Sequence, residues 1–152
     1  MNRSRRVEVV AAWVLALCAF AGPGPALATD CPDTQAMFAE LDSLKRWGDL
    51  HRSFKKFQGR GCDDGAFAEG YSDFVVRTLA HQWKTFGEMR SLVDSDVEFK
   101  KFVLGHIDAT TDQEDIKRIR ANADRKCPRD ASALCAAIGH AAQDAEKMFG
   151  KP

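Results

Sequence analysis

The stretch GAFAEGYSDFVVRTLAHQWKTF, residues 65–86, decides the fold. Its apolar residues Phe67, Tyr71, Phe74, Val75, Leu79, Trp83 and Phe86 recur every three or four positions, the period of one helix face and not of a strand. Carried to Phe86, that face runs for about five turns at 3.6 residues each, wide enough to be the centre of a core. The spacing therefore predicts one long central helix.

The same period holds on both sides of it. Upstream, Met37, Phe38, Leu41, Leu44 and Trp47 form a stripe. Leu50, Phe54 and Phe57 either continue it through a bend near Gly48 or open a second helix capped by Asp49, and Gly59-Arg60-Gly61 stops it. Downstream, Met89, Leu92 and Val93 mark a short piece. Ser95-Asp96-Val97-Glu98 then reads as a capping box before Phe99, Phe102, Val103 and Ile107. Thr111-Asp112-Gln113-Glu114 repeats the device before Ile116, Ile119 and Ala123. A last helix begins near Asp130 and carries Leu134, Ile138, Ala141, Ala145, Met148 and Phe149. With no alternating run to compete, the expected fold is all-α: a single-domain bundle of five to seven helices, packed in antiparallel pairs.

Residues 1–6 carry three arginines, residues 7–20 are almost continuously apolar, and Ala26-Leu27-Ala28 ends the stretch in an A-x-A pattern. This is the layout of a secretory signal cut after Ala28, and the apolar run is short for a membrane span of about 20 residues. The expected division is a signal peptide in residues 1–28 and one helical domain in residues 29–152. Cleavage removes three arginines and Glu8, so 22 basic and 22 acidic side chains become 19 and 21. A nearly balanced chain with no basic stripe argues against nucleic acid and against an electrostatic hold on a membrane after cleavage. The expected location is the periplasm or outside the cell.

Of five cysteines, four lie beyond the signal: Cys31, Cys62, Cys127 and Cys135. An even number in an oxidising compartment points to two disulfides, and three pairings are open. Cys127 and Cys135 flank a Pro128-Arg129-Asp130 turn, which favours a local bridge there and leaves Cys31 with Cys62. Closely spaced ligand pairs of the zinc kind and the D-x-D-x-D-G rhythm of a calcium loop are both missing, so neither metal nor cofactor is expected.

Charged residues cluster beside the central helix. Asp63 and Asp64 stand where a helix start wants a side-chain acceptor and a negative charge. Glu69, Asp73, Arg77 and His81 follow at steps of four and so share one polar ridge. Gly65 and Gly70, costly inside a helix, suggest that another backbone packs closely there. His106 stands beside an apolar stripe with Asp108 near it. It suits a half-buried hydrogen-bonded histidine or a contact at a partner surface. Asp63, Asp64, Glu69, Asp73, Arg77 and His106 are the candidate partner-binding residues. The alternative is a cell-wall-acting enzyme that uses two carboxylates of the ridge as acid and base. Such an enzyme needs aromatic side chains exposed in a cleft beside Glu69 and Asp73, whereas here most aromatics fall on apolar faces. No nucleophile elbow or triad context surrounds any histidine, and no catalytic residue is assigned.

Residues 47–135 resemble a group of uncharacterised exported proteobacterial proteins through Cys62-Asp63-Asp64-Gly65, Ala68-Glu69-Gly70-Tyr71-Ser72-Asp73, the run from Phe102 through Gly105-His106-Ile107-Asp108 to Thr110, and Cys127-Pro128. More distantly, in size, export and helical order, the chain is similar to the periplasmic immunity proteins that neutralise type VI secretion amidases; His106 stands where that family has a cysteine. The second resemblance implies a small stapled scaffold that binds and inhibits a cell-wall hydrolase.

Overall fold

The computed structural model describes residues 31–149, so the signal assigned to residues 1–28 lies outside the described residues. Every regular element among them is helical: α1 Thr34–Asp42, α2 Trp47–Phe57, α3 Gly65–His81, α4 Phe86–Ser95, α5 Val97–Gly105, α6 Gln113–Arg125 and α7 Ser132–Phe149. Short 3-10 turns precede α4 and α7. Both disulfides form as the local-bridge argument favours, Cys31 with Cys62 and Cys127 with Cys135.

α3 is the hub, packed against α1 on one side and α6 on another, while α7 lies along α6 and reaches α5. Phe67, Tyr71, Val75 and Leu79 are all but fully buried. The helix is shorter than its apolar face suggests, because it ends at His81. The reason lies in α6: the side-chain amide of Asn122 donates to the carbonyls of Leu79 and Ala80, at 3.0 and 3.0 Å. In a continuing helix those acceptors would take N–H groups from the next turn. Beyond the break, the Trp83 indole donates to the Lys126 carbonyl at 3.0 Å and stacks on Phe86. The Trp47 indole donates to Thr85 at 2.9 Å. Two tryptophans thus fasten the corner that a straight helix would have crossed, and Phe86 opens α4, which absorbs Met89, Leu92 and Val93.

Other boundaries turn on which side chain wins a cap. α2 is a separate helix: Asp49 sits in its first turn and reaches back to accept from the backbone N–H groups of Lys45 and Arg46, at 3.0 and 3.0 Å. In both expected capping boxes the aspartate, one residue later than the hydroxyl, does the capping. Asp96 accepts from Glu98 and Phe99, and Asp112 from Glu114 and Asp115. Ser95 and Thr111 donate instead to carbonyls behind them, those of Leu92 and Asp108. A carboxylate is the stronger acceptor for N–H groups at a helix start, which leaves the hydroxyl free to close the preceding segment.

The two glycines of α3 have different causes. Gly65 has φ +53° and open space around it, so it is required by left-handed backbone and not by a close neighbour. Gly70 is the packing position: a Cβ there would lie 2.3 Å from Leu41 Cδ1. What approaches is a side chain of α1 and not a second backbone. α1 has no fully buried residue, so this seat is a main attachment of that helix.

Candidate functional site

The loop between α2 and α3 is built to hold one shape. Gly59 and Gly61 have φ +77° and +72°, left-handed values that favour glycine, and the Cys31–Cys62 bridge pins the strand of chain between them and α3. This geometry sets Asp63 over the end of α5, with its Oδ1 3.2 Å from His106 Nε2. Asp64, the next residue, accepts from the Gly65 N–H at 2.7 Å and stands at the helix start.

His106 is 7% exposed and lies edge-on to Phe102 and Tyr71, with ring centroids 4.3 and 5.7 Å away. Its Nδ1 is 2.9 Å from Ser72 Oγ. The Ser72 hydroxyl donates to Asp108 Oδ2 at 2.7 Å. Since a hydroxyl carries one proton, Ser72 accepts from Nδ1–H. Asp108 Oδ1 accepts in turn from the Thr110 N–H and hydroxyl, at 2.9 and 2.5 Å. Burial alone would raise the Asp108 carboxyl, but the hydrogen bonds from Thr110 and Ser72 and the nearby imidazole outweigh it and hold the carboxyl below its ordinary value.

A serine, a histidine and aspartates in one chain of contacts resemble the members of a nucleophilic triad. The roles differ, because Ser72 is 1% exposed and gives its proton to Asp108, not to the imidazole that would have to take it during attack. The arrangement is a buried brace joining α3, the end of α5 and the loop before α3.

The six candidate residues therefore divide. Asp63 and His106 meet, with His106 beneath the surface as a support for Asp63. Glu69, Asp73 and Arg77 stay exposed on the outer ridge of α3, where Arg77 pairs with Asp73 at 3.4 Å. Further along, His81 contacts Asp115 at 2.7 Å and Arg118 at 3.1 Å, tying that end of the ridge to α6. The ridge does not lie in an aromatic cleft.

An aromatic cleft exists at the other end of the edge. It has a volume of ≈ 260 Å³ and is lined by Phe54, Phe57, Tyr71 and Phe102, with Cys62 and Asp63 among the loop residues beside them. Behind it the Tyr71 hydroxyl bonds Ser53 at 2.7 Å, and burial pushes the phenol up to about 12 despite that bond. Sequence reasoning missed Ser72, Ser53 and this cleft. Ser72 had a signal, since it lies three and four positions before Val75 and Val76 on the buried side of α3, where a hydroxyl needs a partner.

Among the described residues no group of histidine, cysteine, aspartate or glutamate could hold a metal ion, and no helix is long and apolar enough to cross a membrane. Comparison with known protein families, curated proteins and solved structures finds no match to this chain.

Proposed function

We propose that the chain is an exported, periplasmic protein that binds a protein partner of basic surface, in the manner of an inhibitor or immunity protein acting on a cell-wall hydrolase. One observation carries this reading. Asp63, Asp64, Glu69 and Asp73 are all exposed along the loop and first half of α3, on a corner made rigid by a disulfide and a buried hydrogen-bonded brace. Charges on such an edge steer association and orient a partner more than they stabilise the fold. Asp64 explains itself as part of a helix start, but Glu69 and Asp73 do not, and the bond between Arg77 and Asp73 is of the solvent-exposed kind worth little to stability. The two disulfides and the signal-like residues 1–28 support export.

The test is capture from periplasmic extract by the parent protein and by the Asp64→Asn/Glu69→Gln/Asp73→Asn variant, both shown to melt alike. The secreted hydrolase encoded beside this chain, where there is one, serves as defined partner. Weaker capture by the variant, with a difference that grows at low salt, supports the reading. Equal capture removes the acidic edge, and cell-wall hydrolysis by the parent that the variant lacks would turn the protein into an enzyme of the ridge.

A further inference from the structure

We infer that the cleft at the α2–α3 corner receives a lysine side chain of the protein partner, its alkyl chain between Phe54, Phe57 and Phe102 and its ammonium at Asp63. The inference deepens the proposed function and rests on this corner being the partner-binding face. Size is the first argument. At ≈ 260 Å³ the cleft falls below the roughly 300–1,000 Å³ of sites that enclose a drug-sized ligand, and it suits one long side chain.

Chemistry is the second. Ring faces attract an ammonium group, and two of these rings already do so: Lys55 Nζ lies 5.7 Å from the Phe54 centroid and Lys56 Nζ 4.8 Å from that of Phe57. Neither lysine lines the cleft, and each is matched by an acid, Lys55 by Asp96 at 3.2 Å and Lys56 by Glu40 at 2.8 Å. Arg60, in the same loop, is exposed and is not part of the lining. The Asp63 side chain is 49% exposed, so an incoming cation reaches it, while His106 fixes its direction from below. A purely apolar side chain would use the same walls but would take water from the Asp63 carboxylate without giving it a partner beyond His106, which costs free energy. A lysine meets both demands, because its methylenes take the apolar walls while its charged end reaches out to the rim.

Preorganisation is the third. The bridge at Cys62 and the Ser53–Tyr71 bond hold the walls before anything binds, which lowers the ordering cost of association.

The probes are N-acetyl-lysine amide and N-acetyl-norleucine amide, added to the whole exported protein while the ring signals of Phe57 and Phe102 are followed by NMR. The lysine probe is expected to shift these signals with saturation and to bind at least fivefold more tightly than norleucine. Asp63→Asn, which keeps an acceptor for His106, should remove most of that preference, and Asp144→Asn on α7 should leave it intact. Equal binding of the two probes, a preference untouched by Asp63→Asn, or no shift from either probe up to its solubility overturns the inference. Partner capture without probe binding would sink this inference alone. Probe binding without a partner would sink the functional reading alone.

Discussion

On one side of α3 the core is made of rings, and on the other of aliphatic branches and methyl groups. Phe57 of α2 meets Phe67 of α3 and Phe102 of α5 meets Tyr71, while Phe54 packs on Phe99 and Phe102, with ring centroids between 4.9 and 5.5 Å apart. α6 and α7 bring Ile116, Ile119, Ala123, Ile138, Ala142 and Ala145. Small side chains let those two helices lie close, so that a Cβ at Gly139 would touch Ala123 Cβ at an ordinary 3.9 Å. The groove above them, ≈ 560 Å³, has Arg120, Asp124, His140 and Gln143 on its walls. Rings have fixed outlines, and where Phe54, Phe57, Tyr71 and Phe102 meet a loop they leave a hollow with apolar walls. The Ser53, Tyr71 and Ser72 hydroxyls and the His106 imidazole are on the same side. Closely fitted small residues let two helices lie together, while large rings of fixed outline leave a hollow between them.

Cutting the bridges tests this contrast most deeply. Chain-entropy reasoning assigns about 3.7 kcal/mol to the Cys31–Cys62 closure, with its separation of 31 residues, and about 2.5 kcal/mol to Cys127–Cys135, with its separation of 8. Urea unfolding of the paired alanine variants should show the larger loss on the aromatic side. No loss on cutting Cys31–Cys62 would mean that the corner does not depend on its staple.

A smaller effect is expected at the seat of α1. Gly70→Leu drives a side chain into Leu41 and should cost about 1–3 kcal/mol, with amide exchange rising first in α1 because that helix buries so little of its own surface. Unchanged melting would break the packing argument and leave Gly70 without an explanation.

The smallest effect concerns acid. The Asp108 carboxyl is held below its ordinary value in the folded protein, so its contribution is present above the unfolded pKa of about 3.9 and fades as pH falls through the lower folded value. Melting curves of the parent should therefore fall more steeply below about pH 4 than those of Asp108→Asn. Parallel curves would show that the brace gains nothing from the charge.

Helix content, the aspartate-rich starts and the pairing of cysteines were legible because they depend on neighbours in the chain. Apolar residues at every third or fourth position report a face, and Cys127 and Cys135 straddle a turn. The end of α3 was not legible, because the residues beyond it, Trp83 and Phe86, keep the helical period while an amide forty residues away sets the stop. The competition between Ser95 and Asp96, or Thr111 and Asp112, is settled by acceptor strength, a local matter that a motif of hydroxyl and glutamate obscures. At the site, Asp63 and Asp64 could be singled out from sequence but their difference could not. One meets His106 and the other a backbone N–H, and the loop fold decides which. The cleft needs four rings from three helices in register, and no spacing along the chain encodes that.

Asn122 carries a consequence for how the molecule is assembled. By occupying the carbonyls of Leu79 and Ala80, it makes the length of α3 a property of α6, so the measuring stick for one helix is kept in another that is synthesised later. Without that amide the two carbonyls would be open to the N–H groups of Trp83 and Lys84, and only the indoles of Trp47 and Trp83 would hold residues 82–86 out of the helix. The central helix thus lies ahead, in the chain, of the residue that says where it stops.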